Sequence, residues 1–155
     1  MIVKLEQDLT VEEIEILIRY AEMTDEVERI AKVYNSLVAR IKCSCVNLKN
    51  GERIEKLISV SDIYYFESVD KMTFVYCEKE VYRTDLRLYQ ITDDFGKFGF
   101  VQISKACVIN VNMLDGVSPL PSSRMEATLV NGEKVCVTRK YLENIKIALK
   151  EGMKP

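Results

Sequence analysis

Ile63-Tyr64-Tyr65-Phe66-Glu67-Ser68-Val69 and Met72-Thr73-Phe74-Val75-Tyr76-Cys77 flank one polar pair, Asp70-Lys71. Two short apolar runs around a two-residue polar break predict a β-hairpin. Asn50-Gly51, between Cys43–Lys49 and Glu52–Ile58, is a stronger turn signal of the same kind, and Asn131-Gly132, between Met125–Val130 and Lys134–Thr138, repeats it. Between these hairpins, Thr84-Asp85 is placed to cap a short helix with Leu88, Ile91 and Phe95 on one face. Ser118-Pro119-Leu120-Pro121-Ser122-Ser123 reads as an exposed loop, and Leu142, Ile145 and Leu149 mark a closing helix. The expected body is mainly β with short helices, α+β overall, built from packed antiparallel sheets.

Before this body the pattern differs. Val27, Ile30, Ala31, Tyr34, Leu37, Val38 and Ile41 recur at helical spacing. Thr24 can cap that helix, Asp25, Glu26 and Glu28 suit its positive end, and Arg40 and Lys42 suit its negative end. Ile2 and Leu5, and the alternation of Ile14, Ile16 and Ile18 with Glu13, Glu15 and Arg19, predict two extended segments, with a helix over 11–21 as the alternative. The chain therefore divides into a strand-strand-helix extension over 1–45 and a main domain over 46–152.

At 155 residues the chain suits one domain with a small appendage. Its longest uncharged run, Ala106–Leu114, is nine residues, far short of the roughly 20 that cross a bilayer as a helix. The start lacks a signal-peptide pattern, so a cytoplasmic protein is expected. The net charge is −2, yet residues 1–45 hold 6 basic and 9 acidic side chains while residues 97–155 hold 9 basic and 5 acidic. Local positive charge, not the total, governs attraction to phosphates.

Catalytic chemistry finds little support. There is no His, no Gly-rich phosphate loop and no obvious carboxylate pair. Five Cys without His make a poor zinc set, and Cys43, Cys45, Cys77, Cys107 and Cys136 are expected to be buried strand residues. No metal, cofactor or enzymatic role is predicted. What remains are basic and polar residues at strand ends: Lys71 beside Met72 and Thr73, Lys105 after Ser104, Arg124 beside the Pro/Ser loop, and Arg139 with Lys140. Arg139 sits where the last helix begins, so its charge opposes the helix dipole unless it has a partner such as a phosphate or a guanine edge.

The order of segments resembles LytTR domains, bacterial DNA-binding modules. Ser61-Asp62-Ile63-Tyr64-Tyr65-Phe66-Glu67-Ser68 is similar to a strand of that family, and Leu86-Arg87-Leu88-Tyr89-Gln90-Ile91 to the helix that follows. Phe100-Val101-Gln102-Ile103-Ser104-Lys105-Ala106-Cys107-Val108-Ile109-Asn110-Val111 and Asn131-Gly132-Glu133-Lys134-Val135-Cys136-Val137-Thr138-Arg139-Lys140-Tyr141 resemble its two later signatures. The likeness spans roughly residues 45–150 and departs at Gln102, where Arg is usual. It implies that loops of a β domain, not a recognition helix, enter successive major grooves.

Carried over by position, the implied DNA contacts come from Lys71, Met72, Thr73, Ser104, Lys105, Arg139 and Lys140, with Arg124 as a weaker phosphate contact. Arg139 is the candidate for a base contact, because its planar fork matches guanine O6 and N7. Lys71, Lys105 and Lys140 suit phosphates. About 45 residues before the module are too few for a receiver domain, so the chain resembles stand-alone regulators, for which a membrane-bound partner is a frequent companion. The N-terminal extension is expected to cover an edge of the module or to make a homodimer matching repeated half-sites. The expectation is a sequence-specific transcription regulator on double-stranded DNA. The alternative is a β-rich adaptor whose basic loops bind an acidic protein.

Overall fold

The computed structural model of the chain describes Glu6, Asp8, Thr10 and residues 16–153. Helix α1 (Asp25–Val38) leads into β1 (Arg40–Val46) and β2 (Arg53–Ser59). A 3-10 turn, Val60–Asp62, precedes β3 (Ile63–Val69), β4 (Met72–Cys77) and β5 (Val81–Thr84). Helix α2 (Leu88–Phe95) and the 3-10 turn Gly96–Phe98 then deliver β6 (Phe100–Ser104) and β7 (Cys107–Asn110). After the 3-10 turn Val111–Met113 come β8 (Leu114–Leu120), β9 (Arg124–Leu129) and β10 (Lys134–Val137). The 3-10 turn Arg139–Tyr141 and helix α3 (Leu142–Met153) follow.

Seven strands form one sheet in the order β2-β1-β5-β4-β3-β7-β6, and three form a second in the order β10-β9-β8. Every pairing is antiparallel. The β3–β4 hairpin forms as expected, with Val69 opposite Met72. Asp70 and Lys71 take φ of 50° and 66°, the left-handed pair that a tight two-residue turn demands. Pleating then sends alternate β3 side chains to opposite faces, apart from a bulge between Ile63 and Tyr65. Phe66 enters a first core with Val75, Tyr82, Ile91, Phe100 and Val108, while Tyr65 packs against a second core of Ile103, Ile109, Ala127, Val137 and Ile145. Phe66 and Phe100 meet edge to face at 5.3 Å. The second core fastens the small sheet and α3 to the outer strands β7 and β6.

Several local expectations change in three dimensions. Of the N-terminal extended segments, Ile2, Leu5 and Ile14 lie outside the described residues, and 16–20 carry no regular structure. Helix α1 stops at Val38 because Ala39 turns extended (φ −71°, ψ 135°). Ile41 is therefore a buried residue of β1, not of the helix, and Arg40 and Lys42 are strand residues with no place in the last helical turn. Strand β1 spans residues 45 and 46 and lies between β2 and β5 in the large sheet. Its link to β2 is a six-residue loop, closed by Asn47 N–H donating to Glu52 O at 2.8 Å, and not a two-residue turn.

Thr84 ends β5 and does not cap α2; the cap position is Arg87, whose N–H donates to the Gln90 side chain at 2.8 Å. The Pro/Ser loop is also shorter than expected, since β8 runs to Leu120 and leaves only Pro121–Ser123 as the turn. Of the thiols, Cys43 is buried, but Cys136 is exposed, and the other three are half-buried.

Candidate nucleic-acid interface

Five connections meet at one rim of the large sheet, each tied to its neighbour by backbone or side-chain bonds. The β3–β4 turn carries Lys71, and the guanidinium of Arg87 donates to the Lys71 carbonyl at 2.7 Å. The β6–β7 turn carries Lys105, and its Ala106 carbonyl accepts from Ser68 N–H at 2.8 Å, beside the end of β3. Thr138, just before Arg139, donates its N–H to Ile103 O at 2.9 Å, beside the end of β6. Met125 pairs with Val137, so Arg124, one residue earlier, shares that end of the small sheet. The rim thus gathers Lys71, Arg87, Lys105, Arg124, Arg139 and Lys140 from positions up to 69 residues apart in the chain.

Each of these six side chains is exposed. Among the described residues none of them lies within ion-pair distance of a carboxylate; the ion pairs that form involve Lys42, Arg53, Lys134 and Lys146. Of the acids close to them in sequence, Asp85 faces Arg53 at 3.8 Å, Glu126 pairs with Lys134 at 2.9 Å and Glu143 with Lys146 at 3.4 Å. Unpaired cations on one rim create a positive field there despite the net charge of −2. Lys140 lies over the Tyr141 ring at 5.6 Å, and Arg124 Nε donates to Pro121 O at 3.2 Å, so both are partly held. Arg139 opens a 3-10 turn, with α3 beginning at Leu142.

The smaller polar candidates behave differently. Thr73 is only 3% exposed, on the inner side of β4, so its side chain does not reach the rim surface. Met72 and Ser104 are half-buried. Ser104 Oγ accepts from Ala106 N–H at 3.3 Å and shapes the β6–β7 turn. Gln102, where the family pattern expects Arg, braces the same turn: its Nε2 donates to Ser104 O at 3.0 Å across a bulge, and Asn144 donates to Gln102 O at 3.1 Å. Gln102 therefore aims the turn.

Arg87, which the sequence reading did not single out, stands on the same rim. The argument applied to Arg139 points to it as well: a cation directly before a helix opposes the dipole and calls for a partner. Here that partner is the Lys71 carbonyl.

Behind the rim, Tyr65 and Tyr76 stack with centroids 4.2 Å apart, and the Tyr76 hydroxyl donates to Glu67 at 3.1 Å. Burial, aided by nearby Glu133, pushes the Tyr65 phenol up, and burial with the Glu67 bond does the same for Tyr76, so both rings stay neutral. Burial and Glu67 push the Cys107 thiol up to about 12. No group of His, Cys, Asp and Glu among the described residues could hold a metal ion, and no helix among them is long and apolar enough to cross a membrane.

Comparison with known proteins supplies the wider setting. Residues 52–150 match the LytTr DNA-binding domain family. The chain is 22% identical over 105 residues to the sensory transduction protein LytT of Enterococcus faecalis, covering 68% of this chain and 43% of that protein. It is 30% identical over 74 residues to the transcriptional regulatory protein YpdB of Escherichia coli K12, covering 48% of this chain and 30% of that protein. It thus spans less than half the length of these relatives. A LytTr DNA-binding domain from Bacillus cereus superposes with a TM-score of 0.62 at 22% identity, covering 72% of this chain and 96% of that one. The same fold, the four sequence segments in order and the match over 52–150 agree: this chain belongs to the LytTr DNA-binding domain family.

Proposed function

We propose that this chain is a cytoplasmic transcription regulator that reads specific double-stranded DNA with the rim turns in the major groove. The observation that carries the reading is the convergence of six exposed cations, none with a carboxylate within ion-pair distance, on one rim. Arg139 reads a base, since its fork is free to meet guanine O6 and N7. Lys71, Lys105 and Lys140 grip phosphates and set the register. Two copies occupy repeated half-sites. Control by a membrane-bound companion belongs to the same reading and rests on the resemblance alone.

Selection of tight binders from random duplex DNA tests it. The expected result is an enriched, repeated motif whose affinity falls as salt rises. Arg139→Ala should then cost about 1–3 kcal/mol and relax preference at one base position. Salt-sensitive binding with no enriched motif would count against sequence-specific reading and leave the adaptor with an acidic protein partner standing.

A further inference from the structure

Strand β6 ends the large sheet, with β7 on one side and, among the described residues, no strand on the other. Such an edge leaves backbone groups to be met by something else. It also carries a bulge: Gln102 pairs with Val108 and Ser104 with Cys107, so Ile103 has no partner in β7. The carbonyls of Gln102 and Ile103 are taken by the segment that carries Arg139. Thr138 donates to Ile103 O from its N–H at 2.9 Å and from its hydroxyl at 3.4 Å. Asn144 Nδ2 donates to Gln102 O at 3.1 Å. Successive carbonyls of a regular strand point to opposite sides, and a bulge breaks that alternation so that one neighbour can meet both.

These ties bracket the arginine. Arg139 to Glu143 lie between them, and Tyr141 N–H closes the 3-10 turn on Thr138 O at 2.9 Å. The flanking residues Val137 and Ile145, and Ile103 itself, are buried in the second core. Burial of those side chains fixes where the segment sits. A single tie would let it swivel about that point, whereas ties at both ends, on adjacent carbonyls, fix its rotation too. Rotation matters because a bidentate guanine contact needs the guanidinium plane aligned with the base edge. The same stretch of β6 runs on into the turn of Lys105, which Ser104 Oγ shapes by accepting from Ala106 N–H. Arg139 and Lys105 thus hang from one short piece of backbone. We propose that Thr138 and Asn144 are positioning residues for base reading: they orient Arg139 against the β6–β7 turn, and so set which base the arginine meets relative to the phosphate that Lys105 grips. The proposal deepens the DNA reading above and rests on it.

The test compares a duplex selected by the parent with the same duplex changed at the base that Arg139→Ala ceases to discriminate. Asn144→Leu keeps the size and suits a helix but removes the donor. It should cut the preference between the two duplexes about two- to tenfold, the range that one such hydrogen bond spans. Affinity for an unrelated duplex, and its salt slope, should stay the same, since no phosphate contact is lost. Circular dichroism and the melting profile should match the parent's, because Asn144 is exposed. Added to Arg139→Ala, Asn144→Leu should change the preference no further. Thr138→Val keeps the N–H bond and should reduce the preference less than about twofold. Without DNA, hydrogen exchange at the Thr138 amide should speed up about two- to tenfold in Asn144→Leu. A parent that selects no motif overturns the DNA reading and this proposal with it. A parent that selects one, while Asn144→Leu keeps the full preference or weakens all duplexes equally, overturns this proposal alone.

Discussion

Replacing Arg87 with Ala should weaken DNA binding without removing any direct contact to a base. The Arg87 guanidinium holds the Lys71 carbonyl at 2.7 Å, and Lys71 sits at φ 66°. A non-glycine residue in that region costs roughly 1–2 kcal/mol. A charge-assisted bond to a neutral carbonyl contributes about 1.5–3 kcal/mol when sheltered, and less at an exposed site such as this. The two terms nearly cancel, so without Arg87 the turn is no longer held in the shape that presents Lys71. If about two thirds to nine tenths of the population leaves that shape, affinity should fall about three- to tenfold, or roughly 0.7–1.4 kcal/mol.

The assay is fluorescence anisotropy on a selected duplex across a salt series. Loss of one phosphate contact should shrink the slope of log affinity on log salt by about 0.9. Arg87→Lys keeps the charge but loses the planar fork, so it should recover only part of the loss. A double-mutant cycle is decisive. Arg87→Ala should add little once Lys71→Ala is present, because both remove the same contact. Additive losses, within about 0.3–0.5 kcal/mol, would show that Arg87 does not act through Lys71 and would refute the reasoning.

Other consequences can be measured directly. Gly99 has φ 97°, and a Cβ there would come within 2.8 Å of Asn112 Nδ2 and 3.2 Å of Val111 Cγ2. Since Asn112 Nδ2 donates to Phe98 O at 2.8 Å, it cannot yield cheaply; Gly99→Ala should cost about 2–3 kcal/mol in urea unfolding. Burial pushes the thiols of Cys43 and Cys107 up to about 12 and that of Cys77 up to about 11, from an ordinary 9.0. The folded state therefore keeps protons that the unfolded state releases, so stability should hold up to the ordinary thiol value and fall as pH rises beyond it toward 12. Stability that rose over that range would contradict the assignment. Thr73→Val should change DNA affinity by less than about twofold, because the side chain is internal and surface contacts carry the energy; a larger loss would place Thr73 at the DNA.

Much of the body was legible because its signals are local. The Asp70-Lys71 break between two apolar runs became the β3–β4 hairpin, and Leu142, Ile145 and Leu149 became the face of α3. The misses share a cause. Ile41 fits the helical period of Val27–Val38, but the extended Ala39 and the pairing of β1 with β2 and β5 carry it into the sheet, where it is buried. Tertiary pairing overrode a period that was correct up to one residue earlier. Thr84 looked like a helix cap for the same reason: its neighbours suit a cap, but its hydroxyl donates to Lys42 O at 3.1 Å across the sheet. Thr73 was chosen for its closeness to Lys71, yet pleating turns adjacent strand residues to opposite faces.

The sequence by itself determined the hairpins, the family and the identity of the cations at strand ends, because turns and signatures depend on residues a few places apart. Only the tertiary structure decided that Lys71, Arg87, Lys105, Arg124 and Arg139 share one rim, since sheet register and the second core bring them together. It also decided that Gln102 braces a turn and that α1 is left partly uncovered. Periodicity can mark a face as apolar, but whether that face is buried depends on which distant element arrives to cover it.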